Sequence, residues 1–166
     1  SETRAEVKAD SELTAENGHV QILADNASDS IMALLGVTGG NATVALGASV
    51  NTHLFNQSVI ARAGDRAKLT AQVGNVRVQA LASNRSFDAA AAGGVTAGGT
   101  AAISGTVLTT VSRTKAHAQL GDAVTAHAGD SVGVVADAPV TAGSFGGAVA
   151  GSSGAVGAGA TVNTLV

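Results

Sequence analysis

Apolar residues occupy every second position in several short stretches of this chain. In the clearest one, Val20, Ile22 and Ala24 are spaced in this way, a pattern typical of a β-strand with one buried face. The same pattern returns 56 residues later, and again after a further 56. The predicted core therefore has three equivalent positions in three copies: Val20, Val76 and Val132; Ile22, Val78 and Val134; and Ala24, Ala80 and Ala136.

A fixed period of this size is typical of a repeat array, in which each unit covers the apolar face of the next. We therefore predict an all-β fold, a parallel β-solenoid built from three tandem repeats of about 56 residues (1–56, 57–113 and 114–166). The repeats form one array, which we expect to be a fragment or a unit of a longer one. Four or five short strands in each repeat predict two or three coils per repeat.

A short strand with the sequence Leu-Thr-Ala also belongs to this repeat. It occurs at 13–15 and 69–71, and we match it to Val-Thr-Ala at 124–126. Loops between the strands vary in length by a residue or two, which is also typical of a solenoid.

The composition supports a thin fold built on backbone hydrogen bonds. Hydrophobic residues make up 45% of the chain, but it has no Trp or Tyr, three Phe and 22 Gly. Small apolar side chains each bury little area, so regular hydrogen bonding between closely spaced strands must contribute much of the stability. A solenoid meets this need better than a layered α/β domain.

Charge and cysteine content exclude several functions. A formal net charge of −3 leaves no basic surface for nucleic acid, and the absence of cysteine excludes disulfides and thiolate metal sites. Residues 141–166 carry no charge and contain Gly147-x-x-x-Gly151, a spacing found in membrane helices. Their Gly, Ser and Thr content makes them too weakly hydrophobic for a span, so we expect no membrane insertion.

No motif for catalysis, a cofactor or a metal emerges. The Gly-Asp pairs at 64–65, 121–122 and 129–130 lack the tandem spacing of calcium-binding repeats, so we expect their carboxylates to cap backbone amides in turns. Glycine-rich runs lack the pattern of phosphate-binding loops. The four histidines share no position in the repeat, which argues against zinc: His19, His53, His117 and His127. We therefore predict that the protein is not an enzyme and has no cofactor or metal site.

Several segments resemble a known family. Val-Asn-Thr occurs at 50–52 and 162–164, Lys-Ala-His-Ala leads into Gly-Asp at 115–122, and Val-Gly-Val-Val-Ala-Asp follows at 132–137. This pattern resembles the repeat region of large secreted bacterial adhesins of the filamentous-haemagglutinin-like and leukotoxin-type filamentous kinds. The resemblance implies a β-solenoid shaft on the bacterial cell surface or in the extracellular matrix. It transfers no catalytic or binding residue.

Three functional hypotheses follow. The first is a non-enzymatic, stiff extracellular shaft that contacts its neighbouring repeats and a host or matrix surface. The second is a filament subunit that joins copies of itself end to end through its open terminal strands. A carbohydrate-binding or carbohydrate-processing solenoid is the third, and the scarcity of aromatic rings argues against it.

Overall fold

The computed structural model describes residues 1–41, 43–154 and 156–166; Ala42 and Ala155, which fall within the first and third predicted repeats, lie outside them. The described residues form eleven strands and no helix: β1 (Glu2–Val7), β2 (Glu12–Ala15), β3 (Val20–Gly40), β4 (Val44–Ala63), β5 (Lys68–Ala71), β6 (Val76–Thr96), β7 (Ala101–Leu120), β8 (Thr125–Ala128), β9 (Val132–Asp137), β10 (Val140–Ser152) and β11 (Val156–Leu165). The three sheets have the orders β1-β4-β7-β11, β10-β6-β3 with β9 also on β6, and β2-β5-β8. Parallel pairing in three sheets confirms the predicted all-β parallel solenoid.

Each repeat forms one coil. Residues 56 apart are paired in neighbouring strands, as in Glu2 with Ser58 and Val76 with Val132. The prediction of two or three coils per repeat is therefore wrong. Stretches that the sequence suggested were separate strands form one continuous strand. The polar residues between them also point alternately into the interior and toward the outer surface. In β4, for example, Asn51 and Gln57 are both buried across such a polar stretch.

The third copy of the short strand lies two residues later than predicted. Leu69 pairs with Ala126 and Ala71 with Ala128, so the match to 124–126 is wrong. Strand β5 is offset by 56 residues from β2 but by 57 from β8. The extra residue lies earlier in the coil, because four residues separate β6 from β7 and only three separate β3 from β4. The residue types at 124–126 resemble those at 69–71, but turn length decides the register.

The chain divides into two units. The first unit comprises residues 1–28, 56–84 and 113–140. Its interior is apolar and consists of alternate residues from its strands: Val20, Ile22, Ala24, Val59, Ala61, Ala63, Leu69, Ala71, Val76, Val78, Ala80 and Ala82. All six residues that we named from the first two repeats belong to this buried cluster. Their third-coil equivalents are exposed: Val132 by 48%, Val134 by 45%, and Ala136 also.

The second unit comprises residues 29–55, 85–112 and 141–166. In contrast to the first unit, many of its interior residues are polar and many of its outer residues are apolar. Many of its buried residues are polar: Ser49, Asn51, Ser86, Asp88, Thr96, Ser104, Thr106 and Thr110. Its outward positions carry most of the exposed large apolar side chains, including Ile31, Leu46 and Phe145. Of the nine Lys and Arg and twelve Asp and Glu residues in the chain, only Asp29, Arg85 and Asp88 lie here.

Close approach of the sheets explains this reversal. A Cβ atom added to Gly36 would lie 2.7 Å from the carbonyl oxygen of Ala48, and one added to Gly159 would lie 2.9 Å from that of Ala148. Hydroxyl groups also bridge the sheets, since Thr106 donates to the carbonyl of Gly147 at 2.8 Å. Only small side chains fit at such positions, so most of the larger apolar residues of this unit lie outside, although Leu108 is buried.

Candidate functional site

Four polar side chains meet in the interior of the second unit. Ser30 lies on β3, His53 on β4, Asp88 on β6 and Thr110 on β7. The strand alternation turns each of them inward, although they are far apart in sequence. They form a connected hydrogen-bonded group, which we call the Asp88 cluster.

Asp88 is the centre of this cluster. Its side chain has no exposed surface, and its Oδ1 lies 2.7 Å from Nδ1 of His53. Its Oδ2 accepts a hydrogen bond from Oγ1 of Thr110. On the other side of the imidazole, Nε2 lies 3.3 Å from Oγ of Ser30. The His53 ring also packs on Phe55, with ring centroids 3.9 Å apart.

These partners determine the direction of each hydrogen bond. An ionised Asp88 only accepts, so Nδ1–H of His53 and the hydroxyl of Thr110 both donate to it. In the neutral imidazole, Nε2 is then an acceptor, and the hydroxyl of Ser30 donates to it. Each carboxylate oxygen has a partner, as burial of a charge requires.

Hydrogen bonds connect Ser30 to His53 and His53 to Asp88, as they connect serine, histidine and aspartate in the triad of serine hydrolases. In that chemistry the imidazole takes the serine proton, and oxyanion donors together with open space for a substrate are needed as well. Here Ser30 Oγ points to His53 between closely packed sheets. The neighbouring groove is lined by Ser30, Phe87 and Gly143 among others, but not by His53. The geometry therefore suits a clamp that joins four strands.

No pattern in the sequence distinguishes His53 from the other histidines. One feature does indicate a polar cluster: Asp88 occupies an inward position in a strand where Ser86 and Ala90 are also buried. A charged residue at such a position requires a partner. The identity of that partner depends on which strand lies opposite, and the period of 56 residues does not contain this information.

The other histidines have different surroundings. His19 accepts a hydrogen bond from the backbone amide of Asn75 in the next coil at 2.9 Å, and His117 and His127 are exposed. No group of three or more His, Cys, Asp or Glu residues that could hold a metal occurs in the described part of the chain.

The carboxylates of Asp65 and Asp10, which lie in turns, bind other groups of the protein. Oδ1 of Asp65 accepts from the backbone amide of Asp122 at 3.1 Å and from Nη2 of Arg62 at 3.2 Å. Asp10 and Arg66 form a two-pronged ion pair, with distances of 2.6 and 2.7 Å. The hydrogen bond from Arg66 lowers the pKa of Asp10, and the same contact raises the pKa of Arg66. These groups link neighbouring coils.

The outer surface of the second unit has two apolar faces. The valine face consists of outward residues on β4, β7 and β11: Val44, Leu46, Val50, Leu54, Ile103, Val107, Val156 and Val162. The phenylalanine face consists of outward residues on β3, β6 and β10: Ile31, Ala33, Leu35, Val37, Phe87, Ala89, Ala91, Gly93, Val95, Gly143, Phe145, Gly147 and Val149. The phenylalanine face contains two grooves, of about 430 and 290 Å³. Such large exposed apolar areas are typical of interaction surfaces.

No helix able to cross a membrane occurs among the described residues. The segment with the spacing of a membrane helix forms strands β10 and β11 instead. Comparisons of the chain with protein-family models, curated proteins and solved structures find no match.

Proposed function

We propose that this chain is a non-enzymatic structural and adhesive β-solenoid, a stiff extracellular shaft of a bacterial surface or secreted adhesin. The observation that carries the proposal is the one-coil repeat, in which parallel hydrogen-bonded ladders connect each coil to the next in all three sheets. Stacked coils advance by about 4.8 Å each and resist bending because every strand is paired along its length.

The use of polar groups within the fold supports a structural role. The Asp88 cluster joins β3, β4, β6 and β7, while Asp65 and the Asp10–Arg66 pair connect neighbouring coils. Each of these groups is bonded to another group of the protein, so the fold uses them to connect strands and coils.

The adhesive and extracellular parts of the proposal have separate support. The exposed apolar faces of the second unit offer contact area to a host or matrix surface or to neighbouring copies. The resemblance to repeat regions of large secreted adhesins supports a bacterial, extracellular location. Absence of cysteine agrees with an adhesin that does not depend on disulfides.

Electron microscopy of a tandem fusion of two copies tests the shaft. We expect a single body that is longer than one copy by about 14 Å along the direction in which the coils stack, which is the rise of three coils. Two separate bodies, or an unchanged dimension along that direction, would contradict the proposal. A fluorophosphonate probe tests the non-enzymatic part: Ser30 should stay unlabelled, and labelling that is lost in His53→Gln would indicate an activated serine.

End-to-end assembly is a second candidate. Inward-facing Val132 and Val134 of the third coil are half exposed, whereas Val76 and Val78 are buried. An added coil would bury the exposed pair. Filaments in the micrographs of the single copy, lost in Val134→Asp but not in Asp137→Asn, would favour this candidate; short discrete rods would favour the shaft.

A further inference from the structure

The phenylalanine face has a regular arrangement of large and small residues. A Cβ atom added to Gly143 would lie 3.2 Å from the ring of Phe87, and Gly93 lies beside Val37 and Val149. Residues 56 apart are therefore neighbours across this sheet, with β6 in the middle. The resulting rows are Ile31–Phe87–Gly143, Ala33–Ala89–Phe145, Leu35–Ala91–Gly147 and Val37–Gly93–Val149.

This arrangement is complementary to itself. A two-fold axis that runs parallel to the strands over β6 places β3 of one copy opposite β10 of another. It brings Ile31 opposite Gly143 and Leu35 opposite Gly147. The same rotation brings Ala33 opposite Phe145, whose side chain is 64% exposed. On the two outer strands, large side chains thus meet small ones in three of the four rows, as well-packed interfaces require, and in the fourth row Val37 lies opposite Val149.

The geometry points to a symmetric dimer in which two copies of this chain pair through their phenylalanine faces. Phe145 of each copy inserts into the groove of about 290 Å³ on the other, where Ala33, Leu35 and Ala89 line it. The two Phe87 rings meet at the axis, because β6 lies opposite itself. An isologous contact of this kind closes on two copies.

The self-complementary rows favour a second copy as the occupant, and the area limits the strength of the pairing. Nine residues at about 3.3 Å on three strands about 4.8 Å apart give roughly 430 Å² per copy. The total of about 860 Å² is below the usual range for a specific interface, so we expect a weak dimer. Asp29 and Arg85 lie at one end of the face, outside the apolar rows, where an interface has its polar rim. The rotation places Arg85 opposite Arg85 of the other copy, with Asp29 of each copy beside them. This lateral pairing does not depend on the proposed shaft function.

Sedimentation equilibrium of the full chain tests the dimer. From about 1 µM to about 1 mM, the mass should rise from 15.9 kDa toward twice that value. Ala33→Asp and Phe145→Lys should each lower the association constant at least about tenfold. Mixing the two variants should restore dimers, since the two-fold axis puts the introduced carboxylate of one opposite the introduced ammonium group of the other. Leu54→Lys on the valine face is the matched control and should leave the dimer intact.

Three results would overturn the inference: a wild-type chain that stays monomeric throughout, association unaffected by both variants, or a mixture no better associated than its components. Both substituted side chains are exposed, so circular dichroism should show a native fold for each variant. Phe145→Ala removes the inserted ring without adding charge. It should also weaken the dimer, and full wild-type association in this variant would contradict the arrangement.

Discussion

The strongest prediction concerns Asp88, the fully buried carboxylate that holds the clamp together. Replacing it with alanine leaves the Nδ1–H of His53 and the hydroxyl of Thr110 without their acceptor. Both donors remain inside the second unit, where His53 is 13% exposed and Thr110 is not exposed at all. The loss therefore includes the cost of desolvated donors as well as two hydrogen bonds.

The magnitude follows from these contacts. A hydrogen bond to a charged acceptor contributes about 1.5–3 kcal/mol, and Asp88 accepts two of them. We expect Asp88→Ala to lower the free energy of unfolding by about 3–5 kcal/mol, which is a large part of a typical total of about 5–15 kcal/mol. Asp88→Asn keeps one accepting oxygen, so it should lose about 2 kcal/mol.

Guanidinium denaturation at neutral pH, followed by the β-sheet circular dichroism signal, measures these changes; without Trp or Tyr, fluorescence is of little use. Ser104→Ala is the control, because this buried hydroxyl has no hydrogen-bond partner among the described residues. It should leave stability unchanged or raise it by about 1 kcal/mol. If Asp88→Ala unfolds within about 0.5 kcal/mol of the wild type, the clamp does not stabilise the fold.

Three further predictions concern the turns. Gly74→Ala should lower the free energy of unfolding by more than about 2 kcal/mol, because the added Cβ would overlap a carbonyl of the preceding coil. Gly133 has open space around it, so Gly133→Ala should lower the free energy of unfolding little. Ala123→Gly should raise stability by about 0.5–1 kcal/mol, since Ala123 has a φ of 55°. The Asp10–Arg66 pair should stabilise the fold above the unfolded-state pKa of Asp10 and lose its effect as pH falls through the lowered folded-state pKa.

Thermal unfolding checks all three. Equal melting temperatures for Gly74→Ala and Gly133→Ala would contradict the close approach of Gly74 to the preceding coil. A melting temperature of Ala123→Gly below that of the wild type would contradict backbone strain at Ala123. For the ion pair, Arg66→Ala should be less stable than the wild type at neutral pH, and the difference should vanish in strong acid and shrink in high salt. A difference that persists in acid would indicate another role for Arg66.

The period and the alternation predicted the solenoid because both are direct consequences of its geometry. Val20, Val76 and Val132 repeat because each coil presents the same position to the core. The number of coils per repeat was not predictable in the same way. Polar residues such as Asn51 and Gln57 suggested loops, but here they face the interior of long strands.

The Asp88 cluster lay beyond sequence reasoning for a physical reason. Its members come from four strands of two coils, and Ser30, His53 and Asp88 have no common spacing. Only the pairing of sheets across the second unit brings them together. The sequence also did not predict that this unit has polar residues inside and apolar residues outside, because alternation along a strand does not determine which of its two faces is buried.

The most direct test of this account is a disulfide between residues 56 apart. The chain has no native cysteine, and Gln79 and Val135 are paired on β6 and β9. One coil per repeat predicts a Cα separation of about 5 Å, so Gln79→Cys with Val135→Cys should oxidise readily, and Gln79→Cys with Asp137→Cys poorly. If the 79–135 bond fails to form while the chain is folded, residues 56 apart are not neighbours, and the one-coil solenoid is wrong.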